Sequence, residues 1–394
     1  MAKQFTLVLA LAFLCVTNAF GIQHWKGNQK ALVLLLQWAD QAPGHTAKEM
    51  ATTFFDDKSM SLRSFFLENS NGKFTLDGEV KDWRKTHIKW DPEKGCTLKP
   101  IVTEAWTQFA SGLSVKDYDA DGNGKVDNLF IVHSGRIDKD RVGPECTFIS
   151  FDKADHAIVF QEAGLGSIGE RIPIGFYIHE AGHGYFNFPD LYADHFHGKY
   201  GIGMWGMMGL GAWGTYNKLP RAEMFRYPSH FEPLSKVKIG WVTPTVVNAS
   251  VDKVVLRPTE NSGDVVAIPA GFGANYYLEY RSKRGFSTGH LGHGLVIWKN
   301  YELIQADGRD DLNHGHDLGV RPLPPIDENF GDGTDPFPGG DGVKTFADPS
   351  HKFEIRNIEQ FDDRVEFSVA FKAGEPRMPY TEPLVDGWDG VERL

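Results

Sequence analysis

Cysteine is scarce in this chain of 394 residues, with only three present. None stands close enough to another to form the paired thiolates of a structural zinc cluster, so that class of site is excluded. Cys15 lies in the extreme N-terminal segment. Cys96 and Cys146 remain as an even pair, and on an oxidising export route they predict one disulfide. Positive charge is also short. Lys and Arg number 41 against 52 Asp and Glu, a formal net charge of −11, which argues against nucleic acid as a partner. Long apolar runs are missing after the N-terminus. The one run, Phe5 to Val16, is too short to span a bilayer. With Lys3 before it and Thr17-Asn18-Ala19 after it, residues 1–19 read as a secretory signal cleaved after Ala19. The expectation is a soluble, secreted protein with no membrane insertion. No internal repeat is visible. An aromatic content of 13% and 43 Gly suit a loop-rich globular enzyme better than a helical bundle, and this length predicts two domains.

What is present is dominated by His179-Glu180-Ala181-Gly182-His183. Positions four apart share one helix face, so both imidazoles can reach a single zinc ion. Glu180, one step round the same turn, can take a proton from a zinc-bound water and hand it to a leaving amine. The same spacing also arises in an amphipathic helix whose His are ordinary core or surface residues. Context favours the metal: Ile174 to Ile178 is an apolar approach, and Pro173 suits a first helical position.

A third ligand follows. Asn187 tolerates the left-handed conformation that ends a helix, and Pro189 stops the helix from resuming. The chain can then present Asp190 to the metal, with Asp194, His195 and His197 as rivals. Downstream, Trp205 to Trp213 holds three Gly, two Trp and two Met, a poor helix and a good tight turn in which a Met can floor the imidazoles. Tyr216, just beyond, is a candidate oxyanion stabiliser.

Together these pieces resemble the immune-inhibitor-A-like secreted zinc metallopeptidases, a metzincin-like family. In that family a helix carries H-E-x-x-H, then a glycine turn, then P-D-L-Y with Asp as third ligand. A Met-turn W-x-x-M-x-x-G-x-W follows, matched here by Trp205, Met208, Gly211 and Trp213. Lys30 to Asp40, Ser64 to Phe74, Asp119 to Gly135, Gly294 to Trp298, Gln305 to Asp307 and Gly331 to Gly339 are also similar, so the resemblance spans nearly all of the chain after the signal. It departs at the turn: Phe186 holds the family's Gly position, and Asp190 falls seven residues after His183 instead of six. No long propeptide is evident. The resemblance implies an α+β, zincin/metzincin-like catalytic domain over 20–246, with zinc held by His179, His183 and Asp190, and proteins or peptides as substrates.

Element by element, a buried strand is expected over Ala31 to Trp38, a helix around Met60 to Glu68, a hairpin-like pair near Phe74 to Trp83, and a helix over Ile101 to Ser111. A buried strand over Asn128 to His133, an edge strand over Ala157 to Phe160 and a short helix within Pro228 to Trp241 complete this part. Residues 247–371 then alternate or run apolar for strand lengths (Val251 to Arg257, Tyr276 to Tyr280, Leu295 to Trp298, Val365 to Phe371), which predicts an antiparallel β-sandwich domain. Residues 372–394 read as a loosely held tail.

Asp119, Asp121, Asn123 and Asp127 match the first nine positions of a calcium loop, but Phe130 takes the place of the usual bidentate Glu. Calcium is a candidate second metal there; a polar turn is the plainer reading. A second acidic stretch through Asp307, Asp317, Asp332, Asp335 and Asp341 reads as Asx turns. The functional expectation is a secreted zinc endopeptidase with Glu180 as general base. The alternative is an exported glycan- or protein-binding protein on a catalytically weakened scaffold, and a structural metal without catalysis ranks third. Oligomeric state is not legible.

Overall fold

The computed structural model describes residues 25–91, 98–135, 148–162, 172, 174–192, 201–214, 227–271, 273–290, 292–309, 312, 331–350, 352–374 and 378–381. The expected signal segment, Cys15, Cys96, Cys146, Pro173, Asp194, His195, His197, Tyr216, Asp317 and most of the tail lie outside the described residues.

The architecture is mixed α and β, with few helices and several sheets, compatible with α+β. The first sheet contains β1 (Gly27–Gln37), β2 (Phe74–Lys85), β3 (Val126–His133), β4 (Phe148–Phe151) and β5 (Ala154–Gln161), in the order β2-β1-β3-β5-β4. The first four positions in that order are parallel, and β4 runs antiparallel on β5. Parallel strands of this kind are covered on both faces, which explains the unbroken apolar run of β1. Ala31, Val33 and Leu35 point into a core with α1 (Ala47–Phe55), α2 (Leu62–Asn69) and α4 (Ile174–Phe186). Leu32, Leu34 and Leu36 point into another with α3 (Leu98–Phe109).

Two local expectations are corrected. Phe74 to Trp83 is one strand, not a hairpin, because α1 and α2 return the chain so that β2 enters parallel to β1. Gly78, which looks like a turn residue, serves close approach instead: a Cβ there would lie 2.0 Å from the Ala31 carbonyl oxygen. Ala157 to Phe160 belongs to an interior strand, since β4 takes the edge position. Sequence cannot separate these cases, because an edge is defined by what pairs beyond it.

After α5 (Pro233–Lys238), the C-terminal part builds two sheets. One orders β11 (Glu302–Ile304), β10 (Gly294–Lys299), β9 (Ala274–Arg281), β8 (Val266–Gly271) and β6 (Thr245–Val246), with β6 parallel to β8 and the other pairs antiparallel. The other orders β12 (Phe346–Ala347), β13 (Phe353–Gln360), β14 (Val365–Phe371) and β7 (Val251–Leu256), all antiparallel. They share an apolar core that includes Leu278, Ile297, Ile355 and Phe367. The opposite face of the larger sheet is buried as well. Tyr277, Val296 and Trp298 pack there with Ile202, Trp205 and Leu234 from the segment after α4. The C-terminal sheet therefore backs the loops that frame α4.

Candidate metal centre

Helix α4 is seated on the first sheet through its apolar residues. Tyr177 stacks on Phe160 with ring centroids 4.2 Å apart, and its hydroxyl donates to the Gln161 carbonyl at 2.8 Å. That anchoring turns His179 and His183 the other way. Asn187 ends the helix with φ of 54°, as its tolerance of left-handed geometry leads one to expect. The Phe188 amide then closes onto the Gly182 carbonyl at 3.1 Å, and the chain folds back through Pro189 to Asp190.

Three donor atoms converge. The Nε2 atoms of His179 and His183 are 3.2 Å apart. Asp190 Oδ1 lies 3.1 Å from the first and 3.3 Å from the second. In a tetrahedral zinc centre with bonds of 2.0–2.1 Å, adjacent donors are separated by about 3.3 Å. All three edges of the triangle match that separation, so the residues fit the ion. The seven-residue step from His183 to Asp190 still brings the carboxylate to both imidazoles.

The far side of each imidazole fixes its tautomer. His179 Nδ1 donates to the Met207 carbonyl at 2.9 Å, and His183 Nδ1 donates to the Phe188 carbonyl at 2.7 Å. A carbonyl oxygen can only accept, so the proton sits on Nδ1 and the Nε2 lone pair faces the metal position. The His179 side chain is buried, whereas the Asp190 side chain is 55% exposed. The site therefore opens to solvent on the Asp190 side. Glu180, beside His179, is buried.

Without metal, His179 and Asp190 share a hydrogen bond in its place. Burial opposes charge on His179, but the hydrogen bond to Asp190 and the charges of Glu180 and Asp190 outweigh it and raise its pKa to about 9. Burial pushes the Asp190 carboxyl up, yet the two imidazoles hold it well below the usual range. Zinc bound there would have to displace the His179 proton. Apparent zinc affinity is therefore expected to fall about tenfold for each unit that pH drops below about 9, measured by competition with a chromophoric chelator. An affinity that stays flat between pH 6 and 8 would contradict this.

The methionine segment lies beneath α4. A Cβ on Gly182 would lie 2.6 Å from Met208 Sδ and 3.2 Å from a Phe231 ring carbon, so Met208 packs against the helix at Gly182. Gly182→Ala should overpack by about 1–3 kcal/mol, against a helix-propensity gain of about 1 kcal/mol. The expected net result in urea unfolding is a small loss. In a Met208→Ala background the same change should become stabilising, because the closest contact is gone and only the 3.2 Å approach to the Phe231 ring is left to relax. The segment is braced from behind, where the Trp205 indole donates to Asp335 Oδ2 at 2.9 Å.

The first acidic loop brings together Asp119, Asp121 and Asp127, whose carboxylates offer oxygens within 4.8 Å of one another. Asp119 already accepts the Asn123 and Gly124 amides at 2.9 and 2.8 Å. Asn123 turns its NH2 toward the cluster, donating to Asp121 and Asp155, so its oxygen is not presented as the calcium pattern requires. Asp155, which sequence spacing did not suggest, joins the loop through Lys125 at 3.3 Å. The second acidic stretch behaves as turns: Thr334 binds both Asp307 and Asp332.

One residue at the candidate metal centre was not singled out from sequence. The Tyr192 hydroxyl lies 3.4 Å from His179 Nε2. The available signal was its position two residues after Asp190.

No protein-family model matches this chain, and no curated protein matches it, so the functional reading rests on the site's own chemistry.

Proposed function

We propose that the chain is a secreted zinc-dependent endopeptidase acting on proteins or peptides, with a zincin-like N-terminal part of the immune-inhibitor-A type. The observation that carries this reading is the triangle of His179, His183 and Asp190, with both Nδ1 atoms tied to carbonyls and Glu180 on the adjacent helix position. Zinc held there would polarise a peptide carbonyl and activate a water. The chain's own residues supply the rest. The Met207 and Phe188 carbonyls orient the imidazoles, and the exposed flank of Asp190 admits the peptide. Glu180 accepts the proton of the attacking water and returns it to the departing amine. Positioned acid–base groups of this kind contribute about 10²–10⁴ in rate. The four parallel strands with an antiparallel edge strand ahead of α4, and Met208 packed under it, support the zincin-like reading.

The test is digestion of casein by the chain lacking residues 1–19, with zinc present, then chelated, then restored. Cleavage should vanish with chelator and return with zinc. A folded, zinc-loaded sample that leaves casein intact would displace the peptidase reading in favour of a binding protein on the same scaffold.

A further inference from the structure

Asp190 and Tyr192 sit two residues apart on a non-helical run, and the residue between them is pinned on both sides. The Leu191 amide donates to the Met208 carbonyl at 2.8 Å, and the Leu191 carbonyl accepts the Ile202 amide at 3.2 Å. The Leu191 side chain packs against the apolar cores. In an extended chain, alternate side chains project to the same side, and here the flanking pair converges on one atom. His179 Nε2 is 3.1 Å from Asp190 Oδ1 and 3.4 Å from the Tyr192 hydroxyl. The tyrosine ring stacks on the His179 imidazole with centroids 5.6 Å apart, and it packs with Trp213 against Met204 and Leu210. Its hydroxyl is thus held in place.

A separation of 3.4 Å is long for an O–H···N hydrogen bond. It is the ordinary separation of two donors on one tetrahedral zinc centre, about 3.3 Å. The Nε2 lone pair of His179 is also the one that faces the metal position, so it is not free to serve the hydroxyl as an acceptor when metal is bound. We propose that Tyr192 is a fourth donor of the centre, its hydroxyl facing the metal position beside His179, His183 and Asp190 in the resting protein. This rests on the zinc reading above. It assigns to the Asp-x-Tyr spacing a function that Asp190 alone does not exhaust.

The test uses copper(II) in place of zinc on the full chain lacking residues 1–19. A phenol oxygen bound to copper gives a visible charge-transfer band that His and Asp ligands do not. The wild-type protein with one equivalent of copper should show that band. Tyr192→Phe should lose it while retaining the imidazole-derived ligand-field absorption, and should bind zinc about tenfold to a hundredfold more weakly. A wild-type protein that takes up one copper without the band overturns the assignment and leaves the metal site standing. So does a Tyr192→Phe variant that keeps the band. A wild-type protein that binds neither zinc nor copper overturns the metal reading itself, and this assignment with it. The wild-type spectrum decides even if Tyr192→Phe does not fold.

Discussion

Glu180→Ala should keep one zinc per chain and lose about three orders of magnitude in casein hydrolysis, within the range general acid–base groups contribute. The separation of binding from turnover follows from position. The donor triangle is made by His179, His183 and Asp190, and Glu180 is not part of it. Glu180 is nonetheless close enough for its charge to raise the His179 pKa, so it acts on the region where a water would be activated. Glu180→Gln preserves shape and hydrogen-bonding capacity but cannot hold a proton as a base, and it should fall as far as the alanine variant. Zinc content is read by elemental analysis and turnover by release of acid-soluble peptide. Normal cleavage by either variant would remove Glu180 from the mechanism. Loss of zinc in Glu180→Ala would instead make it a support for the ligands.

The second large effect is expected on stability, outside the donor triangle. Glu279 and Arg281 on β9 and Lys236 on α5 are fully buried. Glu279 accepts from Arg281 Nε at 2.8 Å, from Lys236 Nζ at 3.3 Å and from the Trp298 indole at 3.2 Å. Burial pushes the Glu279 carboxyl up, but the charges of Arg281 and Lys236 outweigh it and hold it below its usual range. Lys236 also donates to Thr259 Oγ1 at 3.1 Å, and Arg281 Nη2 to the Phe231 carbonyl. Removing the carboxylate takes from two buried cations the counter-ion they hydrogen-bond, and breaking a buried ion set in this way costs about 3–5 kcal/mol. Glu279→Leu should therefore show that loss in urea unfolding. Replacing all three charges with apolar residues of similar size should recover much of it, because the ions offset one another's desolvation in the native protein. A Glu279→Leu variant within 1 kcal/mol of wild type would show that solvent or side-chain rearrangement reaches the cluster. The set joins α5 to the sheet behind the site, so the loss should also be felt at the Met208 segment.

Much of the centre was legible because its signals are local. His179 and His183 share a face through helix geometry alone. Asn187 and Pro189 end the helix through backbone sterics, and Asp190 lies within a short turn of both imidazoles. The strands β1 and β3 announce themselves as continuous apolar runs because both faces are covered. The alternating strands of the C-terminal part were placed by the same kind of reading. The acidic loop shows where local pattern falls short. Its spacing is that of a cation loop, yet the amides of Asn123 and Gly124 take up Asp119, and Asn123 faces the carboxylates with its nitrogen.

What the sequence determined by itself was therefore the helix with its His-Glu-His face, the stop after it, and the mixture of buried and alternating strands. Each depends on residues a few positions apart, within reach of backbone geometry. Only the tertiary structure decided that Phe74 to Lys85 is one strand parallel to β1, because pairing is set by where α1 and α2 return the chain. It alone decided that β4 lies outside β5, that the Met207 carbonyl holds His179, and that Tyr192 shares the Asp190 side of the centre. It also placed Lys236 against Glu279, a contact across 43 positions that no local periodicity encodes. Such contacts arise from the packing of whole elements, where burial and charge compensation, not spacing along the chain, select the partner.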